Sequence, residues 1–309
     1  MASPIPLVDI APFLAGTPGG KQSVARAAGR ACEEIGFLTI TGHGVPAAAV
    51  ADIAAAARQF FDRPAGEKNR LPLLPNGAGY SPLQGETLAA SLGGAAPPDL
   101  KESLNIGADL AGNVWPAQPA SFKPAAIAYF DAAADLAAAL LRVFAVALDV
   151  REDFFAGKID RHRSFLRVIN YPDQERDPEP GQLRAGAHTD YGTLTILLAE
   201  NAPGGLQVQN RAGEWLDVPA APGSFVVNIG DLMQYWTNDK WTSTLHRVVN
   251  PPRGRLGSRR QSLAFFHNPN PDALVTCIDS CAGPGNPARY PPITAGEHLA
   301  LKVNKAYNK

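Results

Sequence analysis

His188-Thr189-Asp190, His246 and Arg260-Gln261-Ser262 are the residues of this chain whose types and spacing could do chemistry. A histidine and an aspartate two apart point to the same face of an extended strand, because side chains alternate along it with a period of two. A second histidine, brought in by a later strand, would complete two imidazoles and one carboxylate on one side of a metal ion. Such a set leaves coordination positions open and suits non-haem Fe(II) in oxygen chemistry. Arg260 and Ser262, again two apart, would share a face and hold an acidic co-substrate, since a planar guanidinium matches a carboxylate with two parallel hydrogen bonds. Each residue taken singly has a plainer reading. A lone histidine is commonly a buried ring bonded within a strand, and an arginine here could close a surface loop, with Arg259 next door as a rival in register.

The elements that must position these residues are short. After Asp190 comes the extended run Tyr-Gly-Thr-Leu-Thr-Ile-Leu-Leu, then Gly204-Gly205-Leu206-Gln207-Val208, a turn into a strand. Further strand-like runs surround Trp215, Val227, His246 and Arg260, with Gly, Pro and Asn between them. Short strands at near-regular spacing predict a sandwich or barrel. Upstream, Val24, Ala28, Ala31 and Ile35 recur three and four apart and predict an amphipathic helix over residues 21–34. A second helix fits 47–62. A third carries Ile127, Phe130, Ala134, Ala137, Leu141, Phe144 and Leu148 on one stripe, a pattern of core packing. Residues 71–118, rich in Pro and Gly, read as loop with little regular structure, and 173–182 as a polar insertion between the strand Phe165–Tyr171 and the one bearing His188.

The order His-Thr-Asp, Gly-Asp-Leu, Trp-Thr-Asn-Asp, His-Arg-Val, Arg-x-Ser-x-x-Phe-Phe resembles the isopenicillin N synthase-like branch of the Fe(II)/2-oxoglutarate-dependent dioxygenases. Ile5-Pro6-Leu7-Val8-Asp9, Gly42-His43-Gly44-Val45, Phe60-Phe61-Asp62-Arg63-Pro64, Asp99-Leu100-Lys101-Glu102 and Tyr290-Pro291-Pro292-Ile293 extend the likeness over nearly the whole chain. The resemblance implies a mainly β fold with flanking α-helices: a jelly-roll (double-stranded β-helix) core with an N-terminal helical extension. Residues 1–120 would form an N-terminal region packed on the core, and 121–309 a helix, the jelly-roll domain and a C-terminal segment. It implies Fe(II) on His188, Asp190 and His246, with 2-oxoglutarate and dioxygen as co-substrates. Arg260 and Ser262 would hold the far carboxylate of 2-oxoglutarate. Tyr171 matches the family's tyrosine on the same carboxylate, and Asn170 stands at a neighbouring position that approaches the keto acid. Many members carry a further tyrosine in this stretch, where this chain has Tyr171 alone.

The implied reaction couples oxidative decarboxylation of 2-oxoglutarate to hydroxylation or desaturation of a small molecule. Alternatives are an ethylene-forming variant, an iron oxidase of the same architecture that draws its electrons from the substrate, and a ligand-binding barrel without turnover. Arg-x-Ser occurs in both enzyme groups and does not separate them.

Composition narrows the partners. The 309 residues are 45% apolar and 18% charged, ordinary for a packed globular chain, and a formal net charge of −1 gives no reason to expect nucleic acid or an anionic membrane. The basic stretch 253–260 reads as a solvated loop. The N-terminus lacks a basic segment followed by an apolar run, and the apolar stretch 136–150 is too short to span a bilayer. Cys32, Cys277 and Cys281 are an odd set, expected as reduced thiols in the cytoplasm; Cys277 and Cys281 alone make half a zinc site. His43, His162, His267 and His298 fall outside the metal motif. Arg184 reads either as a contact for an acidic substrate or as a loop charge, and Phe266 and Trp236 as cavity walls or core. Neither the primary substrate nor the oligomeric state has a readable code.

Overall fold

The computed structural model describes residues 5–93, 96–174, 176–254 and 257–307, so Arg255 and Leu256 of the basic stretch lie outside it. In chain order its strands are β1 (Leu7–Asp9), β2 (Phe37–Thr41), β3 (Gly79–Ser81), β4 (Glu102–Gly107), β5 (Phe165–Tyr171), β6 (Ala185–His188) and β7 (Leu194–Ala199). There follow β8 (Leu206–Gln209), β9 (Trp215–Asp217), β10 (Phe225–Ile229), β11 (His246–Val248), β12 (Arg260–His267), β13 (Leu274–Val275) and β14 (Ile293–Thr294). An eight-stranded sheet runs β1-β2-β10-β7-β12-β5-β4-β3, a four-stranded sheet runs β6-β11-β8-β9, and β13 pairs with β14. The two larger sheets line one cavity from opposite sides, the jelly-roll arrangement. Strands β1 to β4, from the first 120 residues, all join the eight-stranded sheet.

Alternation along β5 and β12 divides the large sheet into two faces. Ile169, Tyr171, Arg260, Ser262, Ala264 and Phe266 face the cavity. Leu166, Val168, Leu263 and Phe265 belong to the main core on the other side, under a layer of helices. The helix Phe122–Ala147 supplies most of that layer, and its Phe130 meets Phe265 edge to face, ring centroids 5.1 Å apart. Each fully buried Phe or Leu there contributes roughly 1.5–3 kcal/mol. The expected stripe is broader than the spacing indicated: Ile127 and Ala134 are only half-buried, whereas Tyr129, Ala133, Leu136 and Leu140 are buried. The two earlier helices run Pro18–Glu34 and Ala47–Phe61.

The reading of 71–118 as loop with little regular structure is corrected. Although Gly94 and Ala95 lie outside the described residues, the segment contains β3 and β4, and β4 is buried along its whole length between β3 and β5. Its polar residues disguised it, because their partners come from elsewhere in the chain. Asn105 donates to Gly77 O at 3.0 Å and accepts from Arg167 Nε at 3.0 Å. Glu102 is paired with buried Lys68 at 2.8 Å and also accepts from Tyr80 and from Asn170 Nδ2. A buried polar strand is stable only when every such group is satisfied, which no local pattern reveals. Residues 173–182, by contrast, form no helix or strand among those described.

Candidate active site

Antiparallel pairing of β6 with β11 sets His246 directly opposite His188, bringing the two rings to 4.3 Å between centroids. Asp190 follows β6 by two residues. Its Oδ1 lies 3.9 Å from His188 Nε2 and 3.7 Å from His246 Nε2. The three ligand atoms are all within 4.8 Å of one another, and among the described residues no other group of His, Cys, Asp and Glu is so arranged.

Hydrogen bonds around the triad fix which atoms face inward. His188 Nδ1 is 2.8 Å from Gly186 O and His246 Nδ1 is 3.0 Å from Thr244 O. A carbonyl can only accept, so each ring is protonated on Nδ1 and turns the lone pair of Nε2 toward the shared centre. Asp190 Oδ2 accepts from Thr195 Oγ1 and, at 2.7 Å, from Asn228 Nδ2, which leaves Oδ1 for the centre. Burial, and then the neighbouring His246, push the His188 imidazole down to about 3, so it is neutral near pH 7. Burial opposes ionisation of Asp190, but the two imidazoles, Asn228 and Thr195 outweigh it and hold the carboxyl below its usual range. Two imidazole nitrogens and one ionised oxygen on one side form a donor set that fits Fe(II). Gly186 is required by close approach: a Cβ there would sit 2.8 Å from Ala89 Cβ.

Along the same cavity stand Arg260, Ser262 and Tyr171. Arg260 pairs across the sheet with Tyr171, its guanidinium 5.5 Å from the ring centre. The arginine is 3% exposed; its Nε donates to Glu200 O at 3.2 Å, while Nη1 is buried without a partner. A buried charged donor left unsatisfied is costly, so an anion in the cavity is the fitting complement. Phe266 pairs with Thr195 and Ser262 with Ala199, so Ser262 and Arg260 lie further along the face from the Asp190 carboxylate. Between the two ends the cavity, about 60 Å³, is walled by Ile169, Leu197, Leu206, Val248 and Ala264.

Asn170 is a correction. Adjacent strand residues point to opposite faces, and Asn170 turns away from the cavity, donating to Glu102 at 2.8 Å and accepting from Arg259 Nε at 3.0 Å. Arg259 accordingly faces away as well, paired with Asp62, which settles the register in favour of Arg260. Arg184 is a structural clamp: 1% exposed, it donates to Pro203 O, Pro172 O and Ser258 O. Phe266 lines the cavity, whereas Trp236 is core, packed edge to face on Phe155. His43 caps a turn between Val45 N and Gly223 O. Buried His267 bonds Thr193 on the far face.

The sequence reading missed Thr195 and Asn228, although Asn228 was visible as a lone amide in the apolar run Phe225-Val-Val-Asn-Ile229. It also missed Lys101 and Arg167, two cations lining the cavity beside Leu88.

The 2OG-Fe(II) oxygenase superfamily profile matches residues 164–269, and that of the non-haem dioxygenase N-terminal region, described from morphine synthesis, matches 5–124. A 2-oxoglutarate-Fe(II) type oxidoreductase of Emericella nidulans is 33% identical over 98% of this chain and 90% of its own length. The chain belongs to the 2OG-Fe(II) oxygenase superfamily. A homoarginine-6-hydroxylase of Oryza sativa is 32% identical to this oxygenase over 97% of it and 96% of the relative. Among solved structures, a full-length Neurospora crassa protein in complex with alpha-KG and thymine superposes with a TM-score of 0.88 at 31% identity, covering 98% and 97% of the two chains. A 2OG-Fe(II) oxygenase family protein from Caulobacter crescentus gives 0.87 at 33% identity, covering 98% and 100%. No helix among the described residues is long and apolar enough to cross a membrane.

Proposed function

We propose that this oxygenase holds Fe(II) on His188, Asp190 and His246 and the far carboxylate of 2-oxoglutarate on Arg260, Ser262 and Tyr171, and oxidises a small molecule by hydroxylation or desaturation. The observation that carries the assignment is the unpartnered Nη1 of Arg260, buried in the same cavity as the three converging ligand atoms. Bound Fe(II) with 2-oxoglutarate and dioxygen supplies the oxidising power for C–H cleavage, with succinate and carbon dioxide as the co-products.

The protein's own part is ligation, orientation and exclusion of water. Thr195 and Asn228 hold Asp190 ionised and fix which oxygen it presents; Gly186 O and Thr244 O fix which nitrogen each imidazole presents. Arg260 anchors an anion at a set distance along the sheet, while the apolar walls keep the space between dry. Relatives named for homoarginine, and a solved neighbour holding thymine, support a small-molecule substrate. The order of motifs supports the isopenicillin N synthase-like branch, and three unpaired cysteines fit a reducing compartment, the cytoplasm.

Anaerobic addition of Fe(II) and then 2-oxoglutarate should raise a visible metal-to-ligand charge-transfer band, and oxygen with a metabolite mixture should release succinate. Folded protein that yields no band would support the binding-barrel alternative; oxygen uptake without succinate would support the oxidase.

A further inference from the structure

Strands β7 and β12 run antiparallel, and their pairing sets Ser262 opposite Ala199. One step further along, Gln261 stands opposite Glu200. In a regular antiparallel ladder, a hydrogen-bonded pair of residues exchanges both backbone bonds, each N–H donating to the other's carbonyl. Here one bond of the exchange runs between backbones, Glu200 N donating to Gln261 O at 3.2 Å. The return bond goes to a side chain, with Gln261 N donating to Glu200 Oε2 at 2.8 Å. The Glu200 carboxylate has taken the ladder place of its own residue's carbonyl. Arg58, from the helix Ala47–Phe61, holds its other oxygen.

This exchange frees Glu200 O, and that carbonyl accepts from Arg260 Nε at 3.2 Å. The bond fixes one edge of a planar guanidinium whose Nη1 is buried and unpartnered against the cavity. A fork already held at one donor has less freedom to lose when an anion binds, so affinity is gained by pre-organisation. Charge is not what Glu200 supplies. Its side chain is 37% exposed and that of Arg58 48%, and ion pairs so open to water contribute little. What matters is an acceptor with the reach to occupy Gln261 N–H.

Resting on the Fe(II)/2-oxoglutarate reading above, we propose that Glu200 is a positioning residue for the co-substrate. Its carboxylate stands in for a ladder carbonyl, so that the carbonyl can orient Arg260 toward the far carboxylate of 2-oxoglutarate.

The test compares Glu200→Gln, Glu200→Asp and Glu200→Ala in anaerobic protein loaded with Fe(II), titrating 2-oxoglutarate against the visible charge-transfer band. Glutamine loses the charge but keeps an acceptor at the same reach, so its dissociation constant should stay within about threefold of wild type. Aspartate keeps the charge but falls short by one carbon–carbon bond, roughly 1.5 Å. Aspartate and alanine should each weaken binding about tenfold, while iron affinity in a chelator competition holds. In an Arg260→Lys background, which has no guanidinium to orient, Glu200→Ala should cost less than about twofold. The proposal is overturned by wild-type affinity in Glu200→Asp or Glu200→Ala, or by a loss in Glu200→Gln equal to that in Glu200→Ala. An equal cost in both backgrounds, or a parallel fall in iron affinity, overturns it too. Absence of the band from wild type would count against the Fe(II)/2-oxoglutarate assignment, whereas a band with the wrong order of variants counts against Glu200 alone. Glutamine against aspartate decides the matter even if Glu200→Ala fails to fold.

Discussion

Replacing Arg260 by lysine separates an anchoring role from a generally stabilising one. Lysine keeps the positive charge but loses the fork, and with it both the Nε bond to Glu200 O and the Nη1 donor that has no protein partner. A hydrogen bond to a charged group contributes about 1.5–3 kcal/mol. At about 1.4 kcal/mol per decade, loss of one such bond weakens 2-oxoglutarate binding by about ten- to a hundredfold. The measurement is the dissociation constant from an anaerobic titration of the visible band in Fe(II)-loaded protein. Iron affinity should hold, because the triad shares no hydrogen bond with Arg260. Arg184→Lys is the matched comparison. That side chain bonds three carbonyls and does not line the cavity, so its loss should lower the melting temperature by several degrees and change 2-oxoglutarate affinity by less than about threefold. Wild-type affinity in Arg260→Lys, or an equal loss in both variants, would refute the reasoning.

Asp190→Ala should abolish iron binding and succinate formation while far-ultraviolet circular dichroism stays that of the folded protein; retained turnover would sink the ligand assignment. Asn228→Ala removes the donor that fixes Asp190 Oδ2, so iron affinity should fall about ten- to a hundredfold in a competitive chelator titration, with no fall counting against a positioning role. Lys68→Met strips the ion pair from buried Glu102 and should cost about 3–5 kcal/mol in urea unfolding, of which Glu102→Leu in the same chain should recover part. Burial pushes the Glu86 carboxyl up, but Arg167 and Lys101 outweigh it and hold it well below its usual 4.5. Its stabilising effect is therefore full above that value and lost as pH falls below it. The gap in unfolding midpoint between wild type and Glu86→Gln should narrow in acid, and a gap constant from pH 7 to about pH 3 would refute the coupling.

Alone, the sequence determined the residue types and their local geometry. His188 with Asp190, and Arg260 with Ser262, share faces because alternation along a strand is a local property, decided by φ and ψ. That same rule already excluded Asn170 from the cavity once Tyr171 was placed in it, so its loss was legible before any coordinates. Tertiary structure decided everything that depends on which strands become neighbours. The β6–β11 register put one imidazole opposite the other; Thr195 and Asn228, from two further strands, chose the oxygen that Asp190 presents. Arg184 and Arg260 read alike as charges near strand ends, yet one found three carbonyls and the other an open cavity. The segment 71–118 was misread for the same reason. Its Glu102 and Asn105 look solvated in a linear pattern, and only partners more than twenty residues away make their burial tolerable, since the cost of a buried polar group depends on what the fold brings to it.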